Sequence, residues 1–286
     1  MVPLSEPKVD SELSRTRAIR CLGELPPFSP ILNRLLASLA KEDVSFNKLG
    51  DLIEKDPVMV GNLLHLVNSA MYARRGSINS VRHALSLLGI NKLRNAVLGM
   101  SITRMWNQVH PPASWSMARF NMHSSATAIL SDLLSQRLNV DYAEGAFVAG
   151  LLHDVGRMLI ALGMTEHHER ILQKHEGEGR PLLECEMEVA GITHPELSAE
   201  ALAHWNLPEP IQNAVRYHHT PESDPLSRIL DAANQYVNSM GVSILKGCPE
   251  NTDAALIESL GLPAEQVQTI LAEFKTEYEA MASFFR

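Results

Sequence analysis

Hydrophobic positions recur every three or four residues along almost the whole of the 286-residue chain, which is the spacing of one face of a helix. Residues 31–39 are an example, because their apolar positions are Ile31, Leu32, Leu35, Leu36 and Leu39. No stretch shows the alternation of apolar and polar residues that is typical of a half-buried strand. The pattern therefore predicts an all-α protein.

Residues that favour helix ends divide this pattern into separate helices. Ser29, Ser45 and Ser80 each precede an apolar helical run, and the side-chain oxygen of each can cap a first turn. Asp56-Pro57 restarts the helical pattern between them. His110-Pro111-Pro112 stops the pattern, because a proline removes a backbone donor and clashes with the preceding turn. We place a lobe boundary there.

The predicted organisation is therefore two helical lobes and a tail. The first lobe covers residues 21–110 and the second covers 111–240. Residues 241–286 form a C-terminal helical extension with no assigned role.

Composition and charge narrow the function classes. The chain is 45% hydrophobic and 20% charged, which is ordinary for a soluble globular protein. A net charge of −8 argues against a nucleic-acid partner, since such proteins need a basic surface. It still permits a small phosphorylated ligand at a local positive site.

Neither a membrane nor an oxidising compartment is indicated by the sequence. We find no signal peptide, and no apolar run close to the ~18 residues that span a bilayer. Cys21, Cys185 and Cys248 are widely spaced and odd in number, so they predict no disulfide framework. We expect a cytoplasmic protein without a membrane partner.

Residues 147–158, FVAGLLHDVGRM, place His153 and Asp154 side by side inside an apolar run. A carboxylate is rarely buried unless it is paired or bound to a metal. We predict one helix over residues 147–158, so the partners of Asp154 must come from other helices.

Other helices supply inward-facing groups of the same kind. His123 and His194 lie on apolar helical faces, His218-His219 end a helix, and Asp231 lies in the apolar run LSRILDAANQYV. One inward histidine alone is more often a hydrogen-bonded core residue than a ligand. Together these residues predict a metal site of the kind that helix bundles build from facing side chains.

The residue types also indicate the metal. Imidazole and carboxylate without thiolate suit iron, manganese or zinc, and we favour iron or manganese. There are more candidate ligands than one tetrahedral ion needs, and a carboxylate such as Asp154 can bridge two ions. We therefore expect two divalent ions.

These motifs resemble those of known proteins. The order His123, HDVGR at 153–157, His194-Pro195, His218-His219 and Asp231 resembles the HD superfamily of metal-dependent phosphohydrolases, and in particular its HD-GYP branch. Longer stretches resemble the HDOD family, which comprises bacterial signalling relatives of HD domains. They are LPPFSPILNRLL, KDPVMVGNLLHLVNSAMY, INSVRHALSLLGINKLRNAVLG and ITHPELSAEALAHWNLPEPIQNAVRYHHTP.

The HDOD resemblance covers residues 21–240. It implies a helical N-terminal lobe packed on an HD-like metal lobe, and a regulatory role in signal transduction through protein partners that it does not identify. The HD resemblance implies one ion held by His123, His153, Asp154 and Asp231, and a second held by Asp154, His194, His218 and His219.

Two departures from the HD-GYP pattern affect the expected activity. TPESDPL at 220–226 replaces the Gly-Tyr-Pro segment, and Arg157 stands where that branch has lysine. Both argue against hydrolysis of cyclic di-GMP, the activity that the HD-GYP resemblance would imply. Arg157 is still a candidate phosphate contact, since a guanidinium can bind phosphate bidentately, although a structural or solvated arginine is an equal alternative.

Two alternatives to the regulatory metalloprotein stay open. The first is an active metal-dependent phosphohydrolase, acting on a nucleotide or another phosphoester through metal-activated water. The second is a metal-free interaction scaffold whose histidines form hydrogen-bonded networks in the core. The remaining histidines receive simpler roles: we predict that His168 faces solvent in a polar helix, and that His204 points inward.

Overall fold

The computed structural model describes residues 11–39, 46–68, 78–221, 224–245 and 252–282. Every regular element within these ranges is helical, which confirms the all-α prediction. The helices are α1 (Ser11–Arg20), α2 (Pro30–Leu39), α3 (Phe46–Ile53), α4 (Pro57–Val67), α5 (Val81–Trp106), α6 (Met117–Ser135), α7 (Ala146–Leu152), α8 (Val155–Gly163), α9 (Thr165–Leu172), α10 (Leu182–Ala190), α11 (His194–His204), α12 (Glu209–Arg216), α13 (Pro225–Ser239), α14 (Ala255–Glu258) and α15 (Ala264–Ala282). Short 3-10 turns at Cys21–Glu24 and Ala143–Gly145 and a π turn at Gln173–Gly177 complete the chain order.

The predicted starts of α2, α4 and α5 are confirmed, whereas the predicted cap Ser45 lies outside the described residues. Ser29, Asp56 and Ser80 each accept a hydrogen bond from a backbone N–H of the following first turn, at 3.1 to 3.2 Å. These bonds satisfy donors that have no partner within the helix.

The predicted helix over residues 147–158 is wrong in one respect, because it is broken at His153 and Asp154. Helix α7 ends at Leu152 and α8 begins at Val155. The end of α7 leaves last-turn carbonyls without helical donors. His153 uses one of them, since its Nδ1 lies 2.8 Å from the Gly150 carbonyl oxygen. The break therefore fixes the orientation of this imidazole.

The expectation that no apolar run approaches membrane-spanning length was also wrong. Residues Ala143–Gly163 form a 21-residue stretch that is long and apolar enough to cross a membrane, judged by length and composition alone. Most of this stretch is buried inside the protein, and it includes α7 and α8. Burial of this kind is typical of a core element rather than a membrane span.

Helices α6 and α7 pack with their backbones in close approach. A Cβ atom at Gly150 would lie 2.6 Å from the Cα of Ala128, so no larger residue fits without separating the two helices. This contact brings the imidazoles of His123 on α6 and His153 at the end of α7 together, with their Nε2 atoms 3.3 Å apart.

A second close approach joins the start of α8 to α11. The Gly156 backbone N–H donates to Ser198 Oγ at 2.8 Å. A Cβ atom at Gly156 would lie only 2.3 Å from the carbonyl oxygen of His194. Glycine at this position therefore lets the Asp154 turn lie directly against the first residue of α11.

Helices from both parts of the chain surround the α6–α7 pair. Helix α5 packs on α2, α3 and α4 and also contacts α6 and α7, while α13 and α15 pack on α6. Helix α1 packs on α8 and α11. The predicted lobe boundary at 110 falls in the connection between α5 and α6, and the division into lobes of 21–110 and 111–240 stays a prediction.

Candidate metal centre

Six of the seven predicted metal ligands lie together in two groups. Candidate ligand atoms of His123, His153 and Asp154 all lie within 4.8 Å of one another. Those of His194, His218 and His219 form a second group by the same measure. The first five of these six residues are buried, while His219 reaches the exposed side of the cluster.

The Asp154 carboxylate connects the two groups, because one oxygen faces each. Its Oδ2 lies 3.5 Å from His153 Nε2 and 3.7 Å from His123 Nε2. Its Oδ1 lies 3.1 Å from His194 Nε2 and 3.9 Å from His218 Nε2. This is the arrangement in which one carboxylate can serve two cations.

Three of the imidazoles have their orientation fixed by the backbone. The Nδ1 atoms of His123, His153 and His218 lie 2.8, 2.8 and 2.6 Å from backbone carbonyl oxygens. A carbonyl can only accept, so each Nδ1 carries the proton and each Nε2 presents a lone pair to the cluster. Metal-binding histidines are almost always held in this way.

The fourth buried imidazole is held by a residue that the sequence analysis missed. Glu186 on α10 is 2% exposed, and its carboxylate oxygens lie 2.9 and 2.8 Å from His194 Nδ1. An acidic residue between Cys185 and Val189, both on the buried face of α10, was the signal that could have identified it. Glu186 thus directs His194 Nε2 towards Asp154.

The electrostatics favour an ionised Asp154 carboxylate, neutral rings at His153 and His218, and a protonated His194 between two carboxylates. Burial alone would raise the pKa of Asp154, but His153, Arg157 and His194 lower it well below its usual value. Burial lowers the pKa of His153 to about 4 and that of His218 well below its usual value. Burial would also lower the pKa of His194, but Glu186 and Asp154 raise it to about 9.

Several buried lone pairs of the cluster lack a donor among the described residues. His218 Nε2 has no hydrogen-bond partner. The His123 and His153 Nε2 atoms face each other at 3.3 Å, although both rings carry their proton on Nδ1. Buried lone pairs without donors carry a free-energy cost, which a coordinated cation would remove. The donor set therefore fits divalent metal.

Asp231 requires a correction, since it belongs to neither group. Its side chain is partly buried and accepts a hydrogen bond from Gln235 Nε2 at 2.8 Å. The inward polar residue of α13 is instead Asn234, which is 3% exposed and hydrogen-bonded to His123. We therefore remove Asp231 from the candidate ligands.

Arg157 lies at the edge of the cluster, where it was expected to contact phosphate. Its Nη1 is 3.2 Å from Asp154 Oδ2, and its side chain is 12% exposed.

The predictions for two histidines outside the cluster were wrong, because His168 is buried at 7% exposure and His204 is exposed. His168 is buried because α9 packs its ring against Trp115, with the centroids 5.7 Å apart.

The class of protein follows from these features. A helical bundle that gathers histidines from several helices around a His-Asp turn has the architecture of the HD superfamily. A more specific match is to the HDOD domain, whose family model matches residues 25–221. The chain belongs to the HDOD domain family.

Solved structures of similar proteins support this fold. An HDOD domain protein with unknown function from Geobacter sulfurreducens matches with a TM-score of 0.76 and 23% identity, covering 96% of this chain and 98% of that one. A provisionally named phosphohydrolase from Shewanella amazonensis SB2B matches with a TM-score of 0.73 and 20% identity, covering 94% and 98%.

Two further relatives are longer than this chain. A provisionally named signal transduction protein from Marinobacter aquaeolei VT8 has a TM-score of 0.72 and 23% identity, over 98% of this chain and 67% of that one. An uncharacterised protein from Treponema pallidum (strain Nichols) is 23% identical over 91% of this chain. The chain spans about half the length of that curated relative, since the match covers 51% of it.

Proposed function

We propose that this protein is a regulatory HDOD protein of signal transduction whose His/Asp cluster holds two divalent ions, iron or manganese in preference to zinc. The observation that carries the proposal is the convergence of four buried imidazole Nε2 atoms on the two oxygens of one ionised carboxylate. A metal-free hydrogen-bonded core would need donors between these atoms, and three of the four rings donate their protons elsewhere.

The residues of the chain have distinct roles in this centre. His123 and His153 would hold one ion, His194, His218 and His219 would hold the other, and Asp154 would bridge them. Glu186 positions His194, and Arg157 stabilises the charge on Asp154 from the edge. When bound, the ions would supply Lewis acidity towards a phosphate group.

A regulatory role is favoured by membership of the HDOD family together with this centre. Metal or ligand occupancy would bias the packing of α8 and α11, because both helices begin at candidate ligands. The signalling partner would read that change on the helical surface.

Metal binding by single variants tests the proposal. Protein purified without chelators is dialysed against manganese or ferrous ion, and bound metal per chain is measured with the thermal unfolding temperature. We expect Asp154→Asn to lose both the metal and the metal-dependent rise in Tm. His204→Ala, an exposed histidine on the same helix as His194, is the matched control and keeps both. Equal metal content in Asp154→Asn and wild type would refute the assignment.

An active phosphohydrolase is the second candidate, and Arg157 favours it. Its guanidinium lies 3.2 Å from Asp154 Oδ2 while remaining partly exposed, so it can also reach a phosphate at the centre. Hydrolysis of a panel of phosphomonoesters and cyclic dinucleotides with iron or manganese tests this activity. Turnover that Arg157→Gln lowers by a factor of ten or more supports it, and no turnover by the metal-loaded protein rejects it.

A further inference from the structure

A cavity of about 140 Å³ lies beside the candidate metal centre. Two cationic side chains line it, Arg119 from α6 and Arg157 from α8, together with His168 and Trp115. Its lining also includes one carboxylate, Glu176, which is exposed.

Three structural links place this cavity next to the cluster. Arg157 lines the cavity and contacts Asp154 directly. Arg119 precedes His123 by four residues on α6, so the two side chains lie on the same face of that helix. The segment after α13 lines the cavity with Ile244, two residues beyond the carbonyl that holds His123.

Three polar atoms that border the cavity lack a hydrogen-bond partner among the described residues. Arg119 Nη1, His168 Nε2 and Trp115 Nε1 are buried and form no hydrogen bond to a described residue. His168 is 7% exposed, and its other ring nitrogen bonds to the Ser114 carbonyl. Buried polar atoms are normally satisfied, so two unsatisfied donors and one unsatisfied acceptor around one cavity indicate a missing ligand.

From this arrangement we propose that the cavity binds a small phosphate monoester, with Arg119 and Arg157 on its phosphoryl group and His168 on a hydroxyl of the ligand. Two guanidinium groups and an indole N–H supply donors to phosphate oxygens, and His168 Nε2 can accept from a hydroxyl of the ligand. Ligand pockets for drug-sized molecules measure ~300–1,000 Å³, so this smaller cavity suits a phosphoryl group with its first few carbon atoms.

The cavity site rests on the proposed function only because it lies beside the proposed metal centre. It deepens that proposal by naming the class of ligand. Arg157 would then be shared between the bridging carboxylate and the bound phosphate. No hydrogen bond or ion pair joins Arg119 to a candidate metal ligand among the described residues, so its removal separates phosphate binding from metal binding.

Calorimetric titration tests the proposal with two probes, inorganic phosphate and glycerol 3-phosphate. Each is titrated into the protein as purified, with its metal content measured, and again after chelation. We expect Arg119→Gln to weaken binding of both probes at least tenfold, and His168→Gln to weaken that of glycerol 3-phosphate severalfold. Arg119→Lys keeps the charge and should restore part of the affinity. Arg228→Gln, which removes an exposed arginine of α13, is the matched control and should bind like wild type.

The outcomes separate this proposal from the metal centre. Phosphate binding that needs Arg119 but not metal supports the cavity site even if the metal assignment fails. Metal-loaded protein that binds neither probe, or binds both equally well after Arg119→Gln, overturns the cavity site and leaves the metal assignment standing. Weaker binding of glycerol 3-phosphate than of inorganic phosphate would overturn the assignment to a monoester.

Discussion

The carboxylate of Glu186 holds His194 at two points, since its Oε2 lies 2.8 Å from both the backbone nitrogen and the ring Nδ1 of that residue. The first bond satisfies a backbone donor at the start of α11, and the second fixes the ring. With Nδ1 occupied, His194 can offer only Nε2 to Asp154, at 3.1 Å.

This contact predicts the behaviour of Glu186→Gln. The amide removes the negative charge that supports His194, so we expect metal affinity to fall about 10–100-fold while the protein stays folded. Competition with a fluorescent chelator measures the affinity. Glu188→Gln, an exposed neighbour on the same helix paired with Lys174 and Arg180, should leave it unchanged. Equal losses in both variants would show that Glu186 has no specific role.

The exclusion of Asp231 from the two ligand groups yields a second prediction. Its carboxylate bonds Gln235 and belongs to neither ligand group, so Asp231→Ala should retain the full metal content. His153→Ala should lose metal under the same purification. Elemental analysis of the two variants measures the metal bound per chain. Metal loss in Asp231→Ala would restore that residue to the ligand set.

Gly156 provides a third prediction, which tests the packing beneath the site. A methyl group in Gly156→Ala would overlap the His194 carbonyl and Ser198, so we expect a loss of about 1–3 kcal/mol in unfolding free energy, together with weaker metal binding. Chemical denaturation measures the first effect. Gly177→Ala is the control, because nothing lies within 4 Å of its added carbon. A destabilisation no larger than that of the control would contradict the close approach of α8 and α11.

The fourth prediction concerns pH and a carboxylate outside the site. Burial raises the pKa of Asp132 on α6 from 3.8 to about 6, despite a hydrogen bond from Asn95. The folded state therefore holds this proton more tightly than the unfolded chain. The free-energy cost of ionising Asp132 in the folded protein is absent below about pH 4 and complete above about pH 6. The contribution of Asp132 to the unfolding free energy therefore falls as pH rises through that window.

Asp132→Asn should remove this cost. We expect it to raise the unfolding free energy at pH 8 by about 1–3 kcal/mol, and to have little effect at pH 4. Denaturation curves at the two pH values measure the difference. The exposed Asp141→Asn should show no such pH-dependent gain, and an equal effect of Asp132→Asn at both pH values would contradict the assignment.

The sequence was sufficient to identify the helices and most of the candidate ligands, and the reasons are physical. Capping residues such as Ser29 and Ser80 act within one turn, so their effect can be predicted from neighbouring positions. His123 and His194 lie on the apolar faces of their helices, and a polar residue on a buried face indicates a partner even when that partner is unknown.

Other features depend on contacts that local sequence does not encode. Asp231 and Asn234 differ by about 60° around a helix, which the apolar pattern of α13 could not resolve. The break at Asp154 has no proline at or next to it, and it lies where the start of α8 packs against α11. The burial of His168 depends on Trp115, fifty-three residues earlier, which no periodicity within α9 could indicate.

Anomalous diffraction from crystals grown with manganese or iron, without chelators, tests the central claim most directly. Maps recorded above and below the absorption edge locate the ions independently of any ligand assignment. The account predicts two peaks, one between Asp154 Oδ2 and the His123–His153 pair and one between Asp154 Oδ1 and the His194–His218–His219 group. A well-ordered protein with no peak at Asp154 would contradict it.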